Sequence, residues 1–372
     1  MWLIISNLFY SSKISTLAWV FALFVFALIA SCRDEGRYSY SIKDFNNSLQ
    51  PYLTKIVSQG IVGHDSSTEF IEKSATDADI LKLSKSEHPV LRAIAYRLIL
   101  SKPAFNHFDV IMNNLDDSAI VAVDDGEFGI GFYRVADDML WHGKWKDTAA
   151  KNVTVEAVIL EHNYLNSAYI KIREIPPKES YYSVIKEMAQ REINYDDKIV
   201  VTGFKEIENA LYALAKFKKQ EDIRIIQEAL LRNCWRISET SFRLMKEYPD
   251  AAYLEVYETY YTRRFYYNIC HDENINNAIS FINSIASYKN EKSESILGEI
   301  LNRKPLIPCM ADANYLKEEL IFAIWNNPCE AYKKLRKQVE SSVKEYEKNI
   351  ISVPMEPFAV SPDTSAEPVR WW

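Results

Sequence analysis

The chain has 372 residues, of which 48% are hydrophobic and 13% aromatic, and this apolar content excludes global disorder. Its formal net charge is −7, and no basic face typical of duplex-binding proteins stands out, so the sequence predicts no nucleic-acid partner. Only 9 glycines occur and few segments alternate apolar with polar residues, which favours an all-α fold.

The first 32 residues contain an apolar run, Ile14–Ser31, that follows a single lysine. Such a run is typical of a secretory signal, although its length also lies at the short end of the range for a transmembrane helix. Its last residues, Ile29-Ala30-Ser31-Cys32, resemble the lipobox of bacterial lipoproteins. The resemblance implies a signal peptide over residues 1–31 and acylation of Cys32, with the lipid holding the protein at a membrane surface.

Residues 32–43 are polar and predict a tether between the lipid and the folded chain. Within this segment, Arg33-Asp34-Glu35 resembles the signal that exports lipoproteins of some Gram-negative bacteria to the cell exterior. A solvated tether is the other interpretation of these three residues. The predicted location is therefore the cell envelope, lipid-anchored to the outer membrane, on either its periplasmic or its external face.

The segment Glu87–Leu100 predicts the most regular helix of the N-terminal region. Pro89 suits a first helical turn, because a backbone N–H at that position has no acceptor within the helix and proline therefore loses no hydrogen bond there. Apolar residues recur behind it at three- and four-residue steps, namely Leu91, Ile94, Ala95, Leu98 and Ile99. The order Pro-x-Leu-Arg-x-x-Ala resembles the second helix of a HEAT repeat, the helical hairpin of α-solenoids. The resemblance implies HEAT-like helices over residues 44–116, in which Ala95 allows close packing and Arg92 bonds nearby carbonyls.

Residues 117–178 interrupt the helical pattern and predict an irregular insertion with further helices. Two short strand-like runs, Ile120–Val123 and Phe128–Gly131, flank an Asp-Gly pair that is typical of a hairpin turn. Asp138 and His142 are four residues apart, but two ligands do not close a metal site, and a solvated helix end is the favoured interpretation. The sequence predicts no metal and no cofactor.

Residues 179–348 carry the most regular helical pattern of the chain. Helix pairs are predicted at 204–217 with 222–233, 238–247 with 250–267, 273–288 with 293–302, and 313–326 with 328–347. The first helices start 34, 35 and 40 residues apart, which is the period of helical-hairpin repeats. The predicted architecture is an α-solenoid of HEAT-like hairpins, followed by a Pro-rich flexible tail over 349–372.

Local catalytic motifs do not occur in this sequence. The six histidines form no His-Glu-x-x-His pair, and neither Gly-x-Ser-x-Gly nor Cys-x-x-Cys is present. The sequence therefore predicts that the chain is not an enzyme. An envelope enzyme whose site is assembled from distant residues remains an alternative.

The segment Ala251–Asn268 is the strongest candidate binding element. Helical spacing places five residues on one face, namely Tyr253, Tyr257, Tyr260, Arg264 and Tyr267. Tyrosine with arginine is the composition of protein interfaces, but a helix inside a solenoid also buries a wide apolar arc. The predicted function is a lipid-anchored scaffold, adaptor or inhibitor, immunity-type inhibitors included, that binds another protein. Glycan or peptide capture by this helix is the alternative.

Four cysteines follow the lipobox, namely Cys234, Cys270, Cys309 and Cys329. The helix predicted at 313–326 separates the last two, and its ends stand about 20 Å apart. A disulfide requires Cα atoms within about 7 Å. We therefore predict that Cys309 and Cys329 are not joined, and that any bridge links cysteines of different hairpins.

Overall fold

The computed structural model describes residues 37–124, 129–143, 145, 148–192, 203–265, 275–302 and 313–351. These residues are mostly helical, with one small three-stranded sheet, and no helix among them is long and apolar enough to cross a bilayer. They form two compact units, the first ending at residue 144 and the second beginning at residue 145. The boundary lies inside the segment 117–178, so the predicted hairpin and the helix Val135–His142 belong to the first unit, and the later helices of this segment belong to the second.

The described part of the first unit combines short helices with a small sheet. Its helices are α1 (Gln50–Gln59), α2 (Ser66–Ser74), α3 (Asp77–Leu83), α4 (Pro89–Ser101), α5 (His107–Met112) and α6 (Val135–His142). A 3-10 turn at Ile42–Asp44 precedes them, and the strands are β1 (Ile61–Val62), β2 (Ile120–Asp124) and β3 (Ile130–Arg134). Helix α4 begins at Pro89, as predicted, and is buried along nearly its whole length, so it forms the centre of this unit.

The sheet has one strand more than the hairpin that was predicted within a helical chain. Strand β2 pairs antiparallel with β3, which confirms the predicted hairpin, and it also pairs in parallel with β1. Val121 and Val123 of β2 are buried, whereas Ile120, Ile130 and Phe132 are exposed on the opposite face. Strand β1 gives no sequence signal because two residues are too few to show an alternating pattern.

Arg92 makes the central polar contacts of the first unit. Its guanidinium donates two hydrogen bonds to the buried carboxylate of Asp117, from Nε at 2.7 Å and from Nη2 at 2.9 Å. Nη1 donates to the carbonyl of Ser86 at 2.9 Å, and the ring of Tyr38 lies 3.8 Å from the guanidinium carbon. These contacts confirm that Arg92 bonds a nearby carbonyl. They add an acidic partner that lies 25 residues away in sequence.

The second unit consists of helices alone in its described residues. They are α7 (Thr148–Leu160), α8 (Asn166–Glu174), α9 (Glu179–Gln190), α10 (Phe204–Ala215), α11 (Gln220–Arg232), α12 (Glu239–Glu247), α13 (Leu254–Tyr260), α14 (Ile275–Ala286), α15 (Glu291–Asn302), α16 (Ala313–Trp325) and α17 (Lys333–Ile351). A 3-10 turn, Ala251–Tyr253, leads into α13, and a π-helical turn, Tyr261–Phe265, continues it. All four predicted helix pairs are present.

The helices of the second unit pack in two rows. Helices α8, α10, α12, α14 and α16 each contact the next one in that order, and we call them row one. Helices α7, α9, α11, α13 and α15 do the same, and we call them row two. Helix α10 in row one is buried on nearly every side, whereas α11 in row two buries a single stripe of Asp222, Ile226 and Leu230. Helix α10 makes more extensive contacts with its neighbours than α11 does.

Tyrosine hydroxyls join successive helices within the rows. Three of them donate to a carboxylate on the next helix of the same row, and the paired residues lie 40, 35 and 38 positions apart. The pairs are Tyr182 with Asp222 (2.9 Å), Tyr212 with Glu247, and Tyr261 with Glu299 (3.0 Å). A hydrogen bond to a charged acceptor stabilises the folded protein by about 1.5–3 kcal/mol. A phenylalanine at any of these three positions would lack the hydroxyl and could not form this bond.

The cysteines that the structure describes are free thiols. Cys234 is buried and Cys329 is partly exposed. The predicted absence of a bridge between Cys309 and Cys329 stays a prediction. Both Cys270 and Cys309 lie outside the described residues.

Candidate functional site

The predicted tyrosine face lies in the core of the second unit. Tyr253, Tyr257 and Tyr260 are each 1% exposed or less. The rings of Tyr257 and Tyr260 pack between Phe242 of α12 and Phe281 of α14, with ring centroids 4.9 to 6.3 Å apart. Of the two interpretations of this segment, the burial of these rings agrees with the buried apolar arc of a helix inside a helical stack.

The polar end of Tyr257 shows why a tyrosine is tolerated in this core. Its hydroxyl bonds the hydroxyl of Ser284, which in turn donates to the carbonyl of Phe242 at 2.6 Å. Burial raises the pKa of Tyr257 well above its ordinary value, so the phenol stays neutral. The ring therefore has a packing role. Two other predicted site residues, Tyr267 and Cys32, lie outside the described residues.

An accessible site in the second unit forms around Trp235. This residue follows the end of α11 and is 43% exposed. The guanidinium of Arg236 lies 3.8 Å from the centroid of its indole ring, and that of Arg264 lies 5.8 Å away. Arg264 is part of the π-helical turn and is half-buried. It is thus the one described member of the predicted set that the structure places beside an exposed aromatic ring.

A groove of about 440 Å³ adjoins Trp235, between α9, α10 and α11. Ile207 of α10 and Ile225 of α11 contribute apolar surface to its wall, and Arg191 and Arg232 contribute guanidinium groups. We call these four residues with Trp235 the Trp235 groove. Its walls combine apolar area with planar hydrogen-bond donors.

The two arginines of the Trp235 groove differ in their surroundings. Arg191 is held in place, since Nη1 donates to the carbonyl of Asn163 at 2.8 Å and Nη2 to Glu187 at 3.0 Å. Arg232 is exposed and forms no ion pair with any residue that the structure describes. Arg191 therefore shapes the wall, and Arg232 offers its donors to a ligand.

The sequence pattern did not indicate Trp235. Helical periodicity selects residues that share a helix face, and Trp235 lies in the segment between α11 and α12. The available signal was the adjacent pair Trp235-Arg236 directly after a helix end, because tryptophan and arginine are enriched among the residues that carry binding energy.

Asp138 and His142, the pair weighed as metal ligands, lie together in the first unit. The carboxylate of Asp138 accepts a hydrogen bond from Nε of Arg97 at 3.0 Å, and Nε2 of His142 lies 3.8 Å from its other oxygen. Over the part of the chain that the structure describes, no group of three or more His, Cys, Asp and Glu side chains is arranged to hold a metal ion.

Comparisons with known proteins were made at three levels, of family, sequence and structure. No family model, no curated protein and no solved structure matches this chain.

Proposed function

We propose that this chain is a lipid-anchored protein of the bacterial cell envelope that binds another protein, as a scaffold, adaptor or inhibitor. The observation that carries the proposal is Trp235, an exposed tryptophan stacked with Arg236 beside a groove. Tryptophan and arginine dominate the binding energy of many protein interfaces, where they fill pockets that exclude water. A groove of this size accommodates a few side chains of a partner segment.

A HEAT-like α-solenoid is the architecture that we propose for the second unit. Row one begins new helices at residues 204, 239, 275 and 313, and the contacts within each row join helices one repeat apart. The turns after α10 and α14 also correspond, since Lys218 and Lys289 both adopt a φ of 54° at the same place in their hairpins. Such recurrence supports stacked repeats, which present extended surfaces to protein partners.

The stacking of Arg236 on Trp235 favours a protein partner over a glycan. A sugar ring binds an exposed aromatic residue by lying flat on its face. Here one guanidinium lies 3.8 Å from the indole centroid and a second approaches it. Arginine stacked on an aromatic ring is instead suited to binding carboxylates, which abound on protein surfaces.

Removing the exposed indole tests the binding proposal. We expect Trp235→Ala to abolish co-purification of the partner from cells that carry the native gene, because the apolar centre of the contact is lost. Trp141→Ala is the matched control, since Trp141 is 53% exposed on α6 in the first unit. Quantitative mass spectrometry of the co-purified proteins is the measurement. A partner that is retained by Trp235→Ala, or lost equally in both variants, would contradict the proposal.

Acylation at Cys32 is the basis of the proposed anchoring. We expect Cys32→Ala to accumulate as an uncleaved precursor that a fatty-acid probe does not label, because the thiol is the acylated nucleophile. Cys329→Ala serves as the control, since Cys329 is a free, partly exposed thiol and its loss should leave labelling unchanged. In-gel detection of the probe distinguishes the two variants, and labelling that persists without Cys32 would end the lipoprotein proposal.

A further inference from the structure

We propose that the exposed face of the small sheet in the first unit lies against the lipid bilayer beside the anchor. The protein then contacts the membrane through its fold as well as through its lipid. This inference rests on the proposed acylation of Cys32 and adds to it a contact surface. The surface consists of Ile120 of β2 with Ile130 and Phe132 of β3, and we call these three residues the hairpin face.

The hairpin face is one continuous apolar surface. Phe132 lies opposite Ala122 in the register, and Ile130 and Ile120 stand two residues from that pair along their own strands. Residues two apart on a strand point to the same side of a sheet. Ile120, Ile130 and Phe132 are 44%, 55% and 45% exposed, and they are three of the seven large apolar side chains that are exposed in the described residues. A cluster of this kind marks a surface that meets a protein or a membrane, whereas single exposed apolar residues are ordinary.

The folded chain begins beside this hairpin. Arg37, the first residue that the structure describes, donates hydrogen bonds to the carboxylate of Asp116 and to the carbonyl of Asn113. It also donates to the side-chain oxygen of Asn114 at 3.3 Å. Asp116 precedes Ile120 by four residues, which span at most about 14 Å. The start of the fold is therefore held close to the first residue of the hairpin face.

The tether to the lipid is too short to hold the first unit away from the membrane. Arg37 follows Cys32 by five residues, which reach at most about 18 Å. A folded unit of about 100 residues has a radius of gyration of about 13 Å, so the tether is shorter than the unit is wide. With the lipid of Cys32 in the bilayer, the side of the unit that holds Arg37 faces the membrane. This favours the bilayer as the occupant of the hairpin face over a second copy of the chain.

The residues at the ends of the hairpin face also suit a membrane surface. Arg134 lies opposite Ile120 in the register, and Asp124 lies opposite Ile130. The surface therefore has an apolar centre and a charged residue at each end. At the boundary between water and lipid, apolar side chains enter the acyl region while charged groups stay among the headgroups.

Photo-crosslinking to lipid tests the contact in the full, lipidated chain. A benzophenone amino acid replaces Phe132, and the purified protein is reconstituted into vesicles of phosphatidylethanolamine and phosphatidylglycerol. We expect a phospholipid adduct in the mass spectrum of the intact protein, because residue 132 lies at the acyl boundary. The same amino acid in place of Val153 is the matched control, since Val153 is 51% exposed on α7 in the second unit, and it should form no such adduct.

A charge placed on the hairpin face should remove the contact. In the chain that carries the benzophenone at position 132, we expect Ile130→Asp to lower the yield of the lipid adduct by at least about tenfold, because a carboxylate is costly to take out of water. Val153→Asp makes the same change at an equally exposed position and should leave the yield unchanged. Unchanged urea unfolding curves show that both variants are folded.

Flotation of the protein with the vesicles reports the anchoring separately. A chain that floats but forms no lipid adduct at position 132, or forms it equally at 132 and 153, would overturn the inference and leave the anchoring in place. An adduct joining two chains, or joining position 132 to residues 349–372, would do the same, since the face would then be covered by protein. A chain that is neither acylated nor floats would overturn the anchoring, and the inference with it.

Discussion

Replacing Asp117 with alanine is expected to lower the free energy of unfolding of the first unit by about 3–5 kcal/mol. The reason is that Arg92 would remain buried without a counter-charge. The two side chains are 4% and 1% exposed and share two hydrogen bonds, so water cannot replace the missing carboxylate. Urea denaturation followed by circular dichroism measures the change.

The adjacent residue provides the control for this prediction. Asp116 also forms an ion pair, with Arg37, but its side chain is 54% exposed. We expect Asp116→Ala to change the free energy of unfolding by no more than about 1 kcal/mol, as is usual for surface pairs. Replacing both buried partners by apolar residues, as in Arg92→Met with Asp117→Leu, should recover much of the loss. Equal effects of Asp116→Ala and Asp117→Ala would show that the buried pair has no special role.

Truncation of Tyr257 to alanine is expected to cost about 3–5 kcal/mol of unfolding free energy in the second unit. Its ring is fully buried against Phe242, Phe281 and Tyr288, with centroid distances of 6.3, 5.8 and 5.1 Å. The alanine variant leaves a cavity that these rings fill only in part. Thermal and urea unfolding of the full chain report the loss.

A phenylalanine at the same position separates packing from hydrogen bonding. Tyr257→Phe keeps the ring and removes only the hydroxyl that bonds Ser284, so we expect a loss of about 1 kcal/mol. If Tyr257→Ala instead left stability unchanged and weakened partner binding, the tyrosine face would be a binding surface after all. The pair of variants therefore decides between the two interpretations of the segment Ala251–Asn268.

Helix positions follow from the sequence because periodicity is a local property. The pairs from α10 to α17 could be located by apolar spacing alone, and Pro89 marked the start of α4. Asp117 could not be recognised as the partner of Arg92, since 25 residues separate the two and only the fold brings them together. The tyrosine–carboxylate pairs of the two rows could not be recognised from the sequence either, because their members lie 35 to 40 residues apart.

The binding site was harder to predict than the helices. Spacing placed the tyrosines of α13 on one face, but it cannot tell whether that face meets solvent or a neighbouring helix. The rings of Tyr257 and Tyr260 in α13 meet Phe242 of α12 and Phe281 of α14, so they are buried. Trp235 lies between helices, where no periodic pattern exists, and its exposure could be known only from the structure.

Site-specific photo-crosslinking at residue 235 tests most directly the claim that a protein partner occupies the Trp235 groove. A benzophenone amino acid in place of Trp235 should form one adduct of defined mass in cells that carry the native gene, and the same residue in place of Trp141 should not form it. The adduct should disappear when Arg232 is also changed to glutamate. No adduct at position 235, or the same adducts at both positions, would contradict the proposed binding site.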